Sequence, residues 1–78
     1  MEEMIYAHEI NCLTDEEKGM LIYALNEVFS SKVKVDLNTV TAYKRLALES
    51  KLRAAKKAVK PQHIDVYCDM CAKLKVDV

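Results

Sequence analysis

The clearest helix signal in the chain is "LTDEEKGMLIYALNEVFSS", residues 13–31. Thr14 is followed three positions later by Glu17, which is the capping-box pattern of a helix start. The three consecutive acids at 15–17 also place negative charge at the positive end of the helix dipole. The apolar residues that follow recur at helical spacing: Leu21, Ile22, Leu25, Val28 and Phe29. The stretch therefore predicts a first helix over 15–30.

Two further helices follow from the same periodicity downstream. A broad apolar arc over 38–59 predicts a long second helix, capped by Asn38 or Thr39. Pro61 cannot continue that helix but suits the first position of the next one. The third helix is predicted over 61–74. Its apolar stripe consists of Ile64, Tyr67, Cys68, Cys71 and Leu74.

Three segments with alternating apolar residues, 4–12, 32–37 and 74–78, predict a small β-sheet beside the helices. In 32–37 the same alternation also suits an extended connector. A single glycine and a single proline in 78 residues favour helices over a turn-rich β fold. The expected architecture is one small, mainly α domain over 1–78, with three helices and this sheet.

The net charge of the chain limits the function classes. Twelve basic and twelve acidic residues cancel to zero, which argues against a general nucleic-acid-binding chain or an acidic mimic of nucleic acid. The acidic N-terminus does not resemble a secretory signal, and no apolar run approaches the roughly 20 residues that cross a bilayer. Three cysteines, an odd number, favour a reducing compartment. These features predict a cytoplasmic protein with no membrane partner.

The Cys68-x-x-Cys71 pair raises the question of a metal or redox site. Zinc needs four converging ligands, and the candidates are His8, Cys12, Cys68 and Cys71, with His63 as a substitute for His8. The pair lies in mid-helix without the glycine or proline of a zinc knuckle, whereas a redox pair favours a helix N-terminus. Free cysteine behaves as a small buried hydrophobe. We therefore expect core packing and no cofactor, with a zinc-stapled domain as the alternative.

The sequence contains no pattern that indicates catalysis. There is no glycine-rich phosphate loop, nucleophile elbow or His-Glu-x-x-His motif. The paired acids at 2–3 and 16–17 are adjacent, so on a helix they point about 100° apart and cannot converge on a substrate. A chain of 78 residues also leaves little room for a pocket of roughly 300 Å³ or more. These features predict a protein that is not an enzyme.

The most informative charge pattern is "YKRLALESKLRAAKKAVK", residues 43–60, with seven bases and one acid. Residues 1–30, by contrast, carry seven acids and one base. On the predicted second helix, five bases lie away from the apolar arc: Arg45, Arg53, Lys56, Lys57 and Lys60. This face can be an ordinary solvated surface, a contact for an acidic protein or a second copy of the chain, or a contact for nucleic acid.

Among these interpretations we favour protein binding through the five bases. The third helix, which would read DNA in a helix-turn-helix, carries Asp65 and Asp69, and acids there would repel phosphates. Nucleic-acid binding by the same residues is the alternative. The small size and one-sided charge also suit a regulator or inhibitor of the kind that phages and mobile elements encode.

Overall fold

The computed structural model describes residues 3–28 and 34–78. Five α-helices occupy this part of the chain. They are α1 (Ala7–Asn11), α2 (Asp15–Val28), α3 (Leu37–Thr41), α4 (Arg45–Ala55) and α5 (Ile64–Lys73). Two 3₁₀ turns, Lys56–Ala58 and Pro61–His63, connect α4 to α5. The prediction of a mainly α fold is confirmed, but the number of helices differs from three.

Helix α2 begins with the capping box that the sequence predicts. The Thr14 N–H donates to Glu17 Oε1 at 2.8 Å, and the Glu17 N–H donates to Thr14 Oγ1 at 3.1 Å. Leu21, Ala24 and Leu25 form the buried face of the helix, which packs against α4 and α5. The prediction over 15–30 is thus confirmed as far as Val28. Residues 29 and 30 lie outside the described residues.

The predicted single helix over 38–59 is wrong, because the chain breaks between α3 and α4. Lys44 is extended, and its neighbours bond to the N-terminal segment. The Ile5 N–H donates to the Tyr43 carbonyl at 3.1 Å, and the Arg45 N–H donates to the Glu3 carbonyl at 2.8 Å. A distant backbone therefore satisfies groups that a continuous helix would use internally.

The cap of α3 also differs from the prediction of Asn38 or Thr39. Asp36 is the N-cap, and its Oδ1 accepts from the Thr39 N–H at 2.8 Å. This hydrogen bond is the main reason that the pKa of Asp36 lies below its ordinary value of 3.8. The helix therefore begins at Leu37, one residue earlier than the predicted start.

The predicted β-sheet is not present among residues 3–28 and 34–78. Segment 4–12 forms α1 instead, preceded by one isolated antiparallel bridge between Met4 and Lys44. Residues 34–36 run without a strand partner, while 32 and 33 lie outside the described residues. Segment 74–78 turns back after α5, with Lys75 at φ 59° and the Val76 N–H on the Cys71 carbonyl at 3.0 Å. This is a Schellman-type helix end rather than a strand.

The third predicted helix, over 61–74, is present with a modified first turn. Pro61 opens a 3₁₀ turn, and the α-helix proper runs over Ile64–Lys73. Tyr67 lies fully buried in this helix, and its hydroxyl donates to the Leu52 carbonyl of α4 at 2.6 Å. The buried apolar core draws on every α-helix and on the segments between them. Its members are Ile5, Ile10, Leu13, Leu21, Ala24, Leu25, Val35, Val40, Leu48, Leu52, Ala55, Tyr67, Met70, Cys71, Leu74 and Val76.

Candidate functional site

Arg45, one of the five predicted contact residues, is held by its own chain. Only 11% of its side chain is exposed. Its guanidinium donates to Glu9 Oε1, to the Leu74 carbonyl and, at 3.0 Å, to Glu3 Oε2. The hydrogen bond to Glu9 is the main cause that raises the pKa of Arg45 above its ordinary value. The expectation that Arg45 lies on an open face is corrected, because the N-terminal segment and the end of α5 cover it.

Arg53 is more exposed but also has partners within the chain. Its guanidinium donates to Glu49 Oε1 one helical turn earlier at 2.5 Å and to the Asp77 carbonyl at 3.0 Å. Because 58% of its side chain remains exposed, it can still contribute positive potential at the surface. Its charge is partly balanced by Glu49.

Lys56, Lys57 and Lys60, which we call the basic wall, follow α4 along the turn toward Pro61. Lys57 and Lys60 are exposed, and Lys56 is half-buried. None of the three ammonium groups forms an ion pair with a carboxylate in the described part of the chain. Residues 51–64 contain five bases and no acid. The structure therefore keeps a positively charged surface here, although it is smaller than the sequence indicates.

A groove of about 390 Å³ opens between α2 and the basic wall. Its lining comes from these two parts of the chain: Glu16, Gly19, Met20, Tyr23, Ala58, Val59, Lys60 and His63. Most of these residues are apolar, and 58% of Tyr23 is exposed. The protein therefore does hold a pocket of this size, contrary to the expectation from its length. The groove lies within the 300–1,000 Å³ range of small-molecule sites but is open to solvent along one side.

Gly19 lies in the groove wall formed by α2, in the middle of the helix. A glycine at an interior helix position costs about 1 kcal/mol relative to alanine. Apart from its chain neighbours and the adjacent backbone of α2, a Cβ built at Gly19 would have no described atom within 4 Å, so no close backbone approach among the described residues requires the glycine. The fold itself therefore gives no packing reason for a glycine at this position.

The α2 side of the groove carries the opposite charge to the basic wall. Glu16 lines the groove, and Glu27 falls on the same helix face three turns later. Both are exposed, and neither forms an ion pair with another described residue. We call Glu16 and Glu27 the acidic wall. The groove itself is lined by one acid, Glu16, on the α2 side and by one base, Lys60, on the opposite side, while Glu27 and Lys57 lie beyond its lining.

The cysteines differ widely in exposure. Cys12 is exposed, Cys68 is half-buried and Cys71 is buried. Burial is the main cause that raises the pKa of the Cys71 thiol to about 12, which keeps it protonated at neutral pH. Core packing is confirmed for Cys71, whereas Cys12 lies at the surface.

The structure does not assemble the predicted zinc ligands. His8 is exposed and stacks on the ring of Tyr6, with 5.8 Å between centroids. The substitute ligand, His63, lines the groove instead. Across residues 3–28 and 34–78, no three His, Cys, Asp or Glu side chains are grouped so that they could hold a metal ion. The described residues therefore offer no site for the zinc alternative.

Sequence reasoning identifies the basic wall but misses the α2 side of the groove. Tyr23 and Gly19 are separated by one helical turn, on the side of α2 opposite Leu21 and Leu25. An exposed aromatic residue beside an unexplained helical glycine is the signal that could have revealed this surface. The position of this α2 surface next to Lys60 depends on how α4 and α5 pack on α2, which no local sequence pattern predicts.

No family model matches the chain, and neither the curated proteins nor the solved structures gave a match. Among the described residues, no helix combines the length and the apolar character required to cross a membrane.

Proposed function

We propose that this protein is a non-enzymatic binding protein that docks on another protein through the groove and the basic wall. The observation that carries the proposal is the position of Lys57 and Lys60. Their charges have no carboxylate partner among the described residues, and Lys60 borders an open apolar groove. Arg53 extends the positive surface with a partly balanced charge.

The composition of this surface resembles that of protein interfaces. Such interfaces combine an apolar centre with a polar, charged rim, and aromatic residues often supply the largest share of the binding energy. Tyr23 and Met20 would form the apolar centre here, and Lys57 and Lys60 would form part of the rim. Exposed lysines at a rim mainly accelerate the encounter with an acidic partner.

Nucleic-acid binding by the same residues is the alternative function, and the structure gives it less support. Of the five bases that the sequence places on one face, Arg45 is buried in ion pairs and Arg53 is paired with Glu49. Three lysines remain, and Glu16 on the opposite wall would repel phosphate.

Reversing the two exposed charges of the basic wall tests the proposal. In the Lys57→Glu/Lys60→Glu variant we expect capture of protein partners from a lysate of the source organism to fall at least about 10-fold, because like charges would face each other. The melting temperature should stay close to that of the unmodified protein, since surface substitutions change stability by about 0.5 kcal/mol or less. Quantitative mass spectrometry of the captured proteins provides the measurement.

The matched control is Lys34→Glu/Lys75→Glu, which changes the net charge equally at two exposed lysines outside the groove. Equal losses in both variants would show that only net charge matters and would contradict the proposal. Mobility-shift titrations with DNA and RNA test the alternative function, nucleic-acid binding. Binding that weakens steeply with salt, together with no protein capture, would favour nucleic acid.

A further inference from the structure

The groove has a charge pattern that complements itself. Glu16 lines one side and Lys60 lines the other, and the exposed Glu27 and Lys57 lie beyond them on the same two parts of the chain. A ligand with a single sign of charge would meet like charge on one of the two sides. A ligand that places a basic side against the acidic wall and an acidic side against the basic wall meets opposite charge on both walls. A second copy of the chain, turned by 180° about the length of the groove, has this arrangement.

The shape of the α2 side supports the same occupant. Tyr23 projects as an exposed aromatic side chain, and one turn earlier Gly19 leaves open space where other residues would place a side chain. When the second copy is turned about the length of the groove, its α2 lies over residues 58–63 of the first copy, so Tyr23 of each copy meets the apolar Ala58 and Val59 of the other. The glycine, which intramolecular packing does not require, fits the close approach of another molecule.

We infer that the groove is a two-fold interface between two copies of this chain. The acidic wall of each copy lies over the basic wall of the other, so Glu16 faces Lys60 of the second copy, and the two Tyr23 rings fill the paired grooves. This inference rests on the proposed function, since it names the protein partner as a second copy. A stable interface buries about 800 Å² per copy, and a single groove covers less. We expect a dimer that forms reversibly, with a Kd of roughly 1–100 µM.

Sedimentation velocity on the full chain over concentrations of about 2–500 µM measures this association. For the unmodified protein we expect a reversible shift from monomer to dimer. Glu16→Lys and Lys60→Glu alone should each raise the Kd at least about 10-fold, because each places like charges opposite one another. The double variant Glu16→Lys/Lys60→Glu should return to within about 3-fold of the original Kd, because the attraction is restored with its signs exchanged.

A second pair of variants tests the aromatic contact. Tyr23→Ala should raise the Kd at least about 10-fold, whereas Leu46→Ala, at an exposed leucine outside the groove, should leave it unchanged. Circular dichroism of each variant confirms that it is folded. All four residues are exposed, so loss of structure is not expected.

Two results would overturn the inference. The first is a protein that remains monomeric at every concentration, and the second is a double variant that associates no better than the single ones. A monomer that still captures a foreign protein through Lys57 and Lys60 would overturn this inference while leaving the proposed function intact.

Discussion

Replacing Arg45 with alanine is expected to remove about 3–5 kcal/mol from the free energy of unfolding. Arg45 and Glu9 are both largely buried, with side-chain exposures of 11% and 7%. Glu9 Oε2 already has no hydrogen-bond partner among the described residues. Without the guanidinium, the Glu9 carboxylate would stay buried and would lose the counter-charge and the hydrogen-bond donor that Arg45 supplies. This loss is a large fraction of the total stability, which is roughly 4–12 kcal/mol for a domain of this size.

Arg53→Ala is the matched control, because Arg53 lies on the same helix and also pairs with a glutamate. Its side chain is 58% exposed, so the expected loss is about 1 kcal/mol or less. The double variant Arg45→Met/Glu9→Leu should be more stable than Arg45→Ala, since it removes the unpaired charge together with its partner. Urea denaturation of the four proteins provides the comparison. Equal losses for the two arginines would contradict this assignment.

Replacing Glu17 with alanine is expected to cost about 2–3 kcal/mol. Glu17 Oε1 accepts from the Thr14 N–H and from Lys73 Nζ, both at 2.8 Å. The carboxylate therefore caps α2 and also joins the start of α2 to the end of α5. Since the Glu17 side chain is only 6% exposed, its hydrogen bonds are protected from water. Urea denaturation at neutral pH measures the loss.

The lowered pKa of Glu17 also predicts that the stability of the fold depends on pH. The hydrogen bond from Lys73, followed by that from the Thr14 backbone, lowers the pKa of Glu17 below its ordinary value of 4.5. A lowered folded-state pKa means that the stabilisation is complete above the unfolded-state pKa and is lost as the pH falls through the folded-state pKa. Glu17→Gln keeps the acceptor oxygen but removes the charge.

The stability difference between the unmodified protein and Glu17→Gln is therefore expected to be largest near neutral pH and to shrink below pH 4.5. Thermal denaturation of both proteins across this range measures the difference. A difference that stays constant down to strongly acidic pH would show that the charge of Glu17 contributes nothing.

The elements that the sequence predicts correctly are those fixed by local chemistry. The capping box of Thr14 and Glu17 uses residues three positions apart, and Pro61 acts through its own ring. Such signals do not depend on the rest of the fold. The break before Arg45 has no such signal, because it is set by hydrogen bonds to Glu3 and Ile5, about forty positions away.

The predicted sheet shows how a correct periodicity can lead to a wrong element. Val35 is buried between the exposed Lys34 and Asp36, and Leu74 and Val76 are buried around the exposed Lys75. The alternation therefore gave the correct faces in these two segments but not in 4–12, where Tyr6 and His8 are exposed and Ile5 is buried. A strand also needs a neighbour to pair with, but the Val35 N–H donates to the side chain of Asn26 at 3.0 Å. Residues 34–36 are thus closer to the extended connector that the sequence also allows.

The candidate site also has one part that the sequence predicts and another that only the fold determines. The excess of positive charge near the end of α4 is a property of composition, so the sequence locates Lys57 and Lys60. Whether a given base is free depends on what packs against it, and Arg45 is covered by segments from both ends of the chain. The groove has walls from α2 and from residues 58–63, and only the folded arrangement brings them together.

We propose that this protein contacts its partners through the groove rather than through the outer face of α4. A photoreactive benzophenone side chain at position 23 or at position 46 distinguishes the two surfaces, because Tyr23 lines the groove and the similarly exposed Leu46 does not. We predict covalent adducts, with a second copy or with another protein, from position 23 and none from position 46. Adducts formed only at position 46, or in equal yield at both positions, would contradict the account.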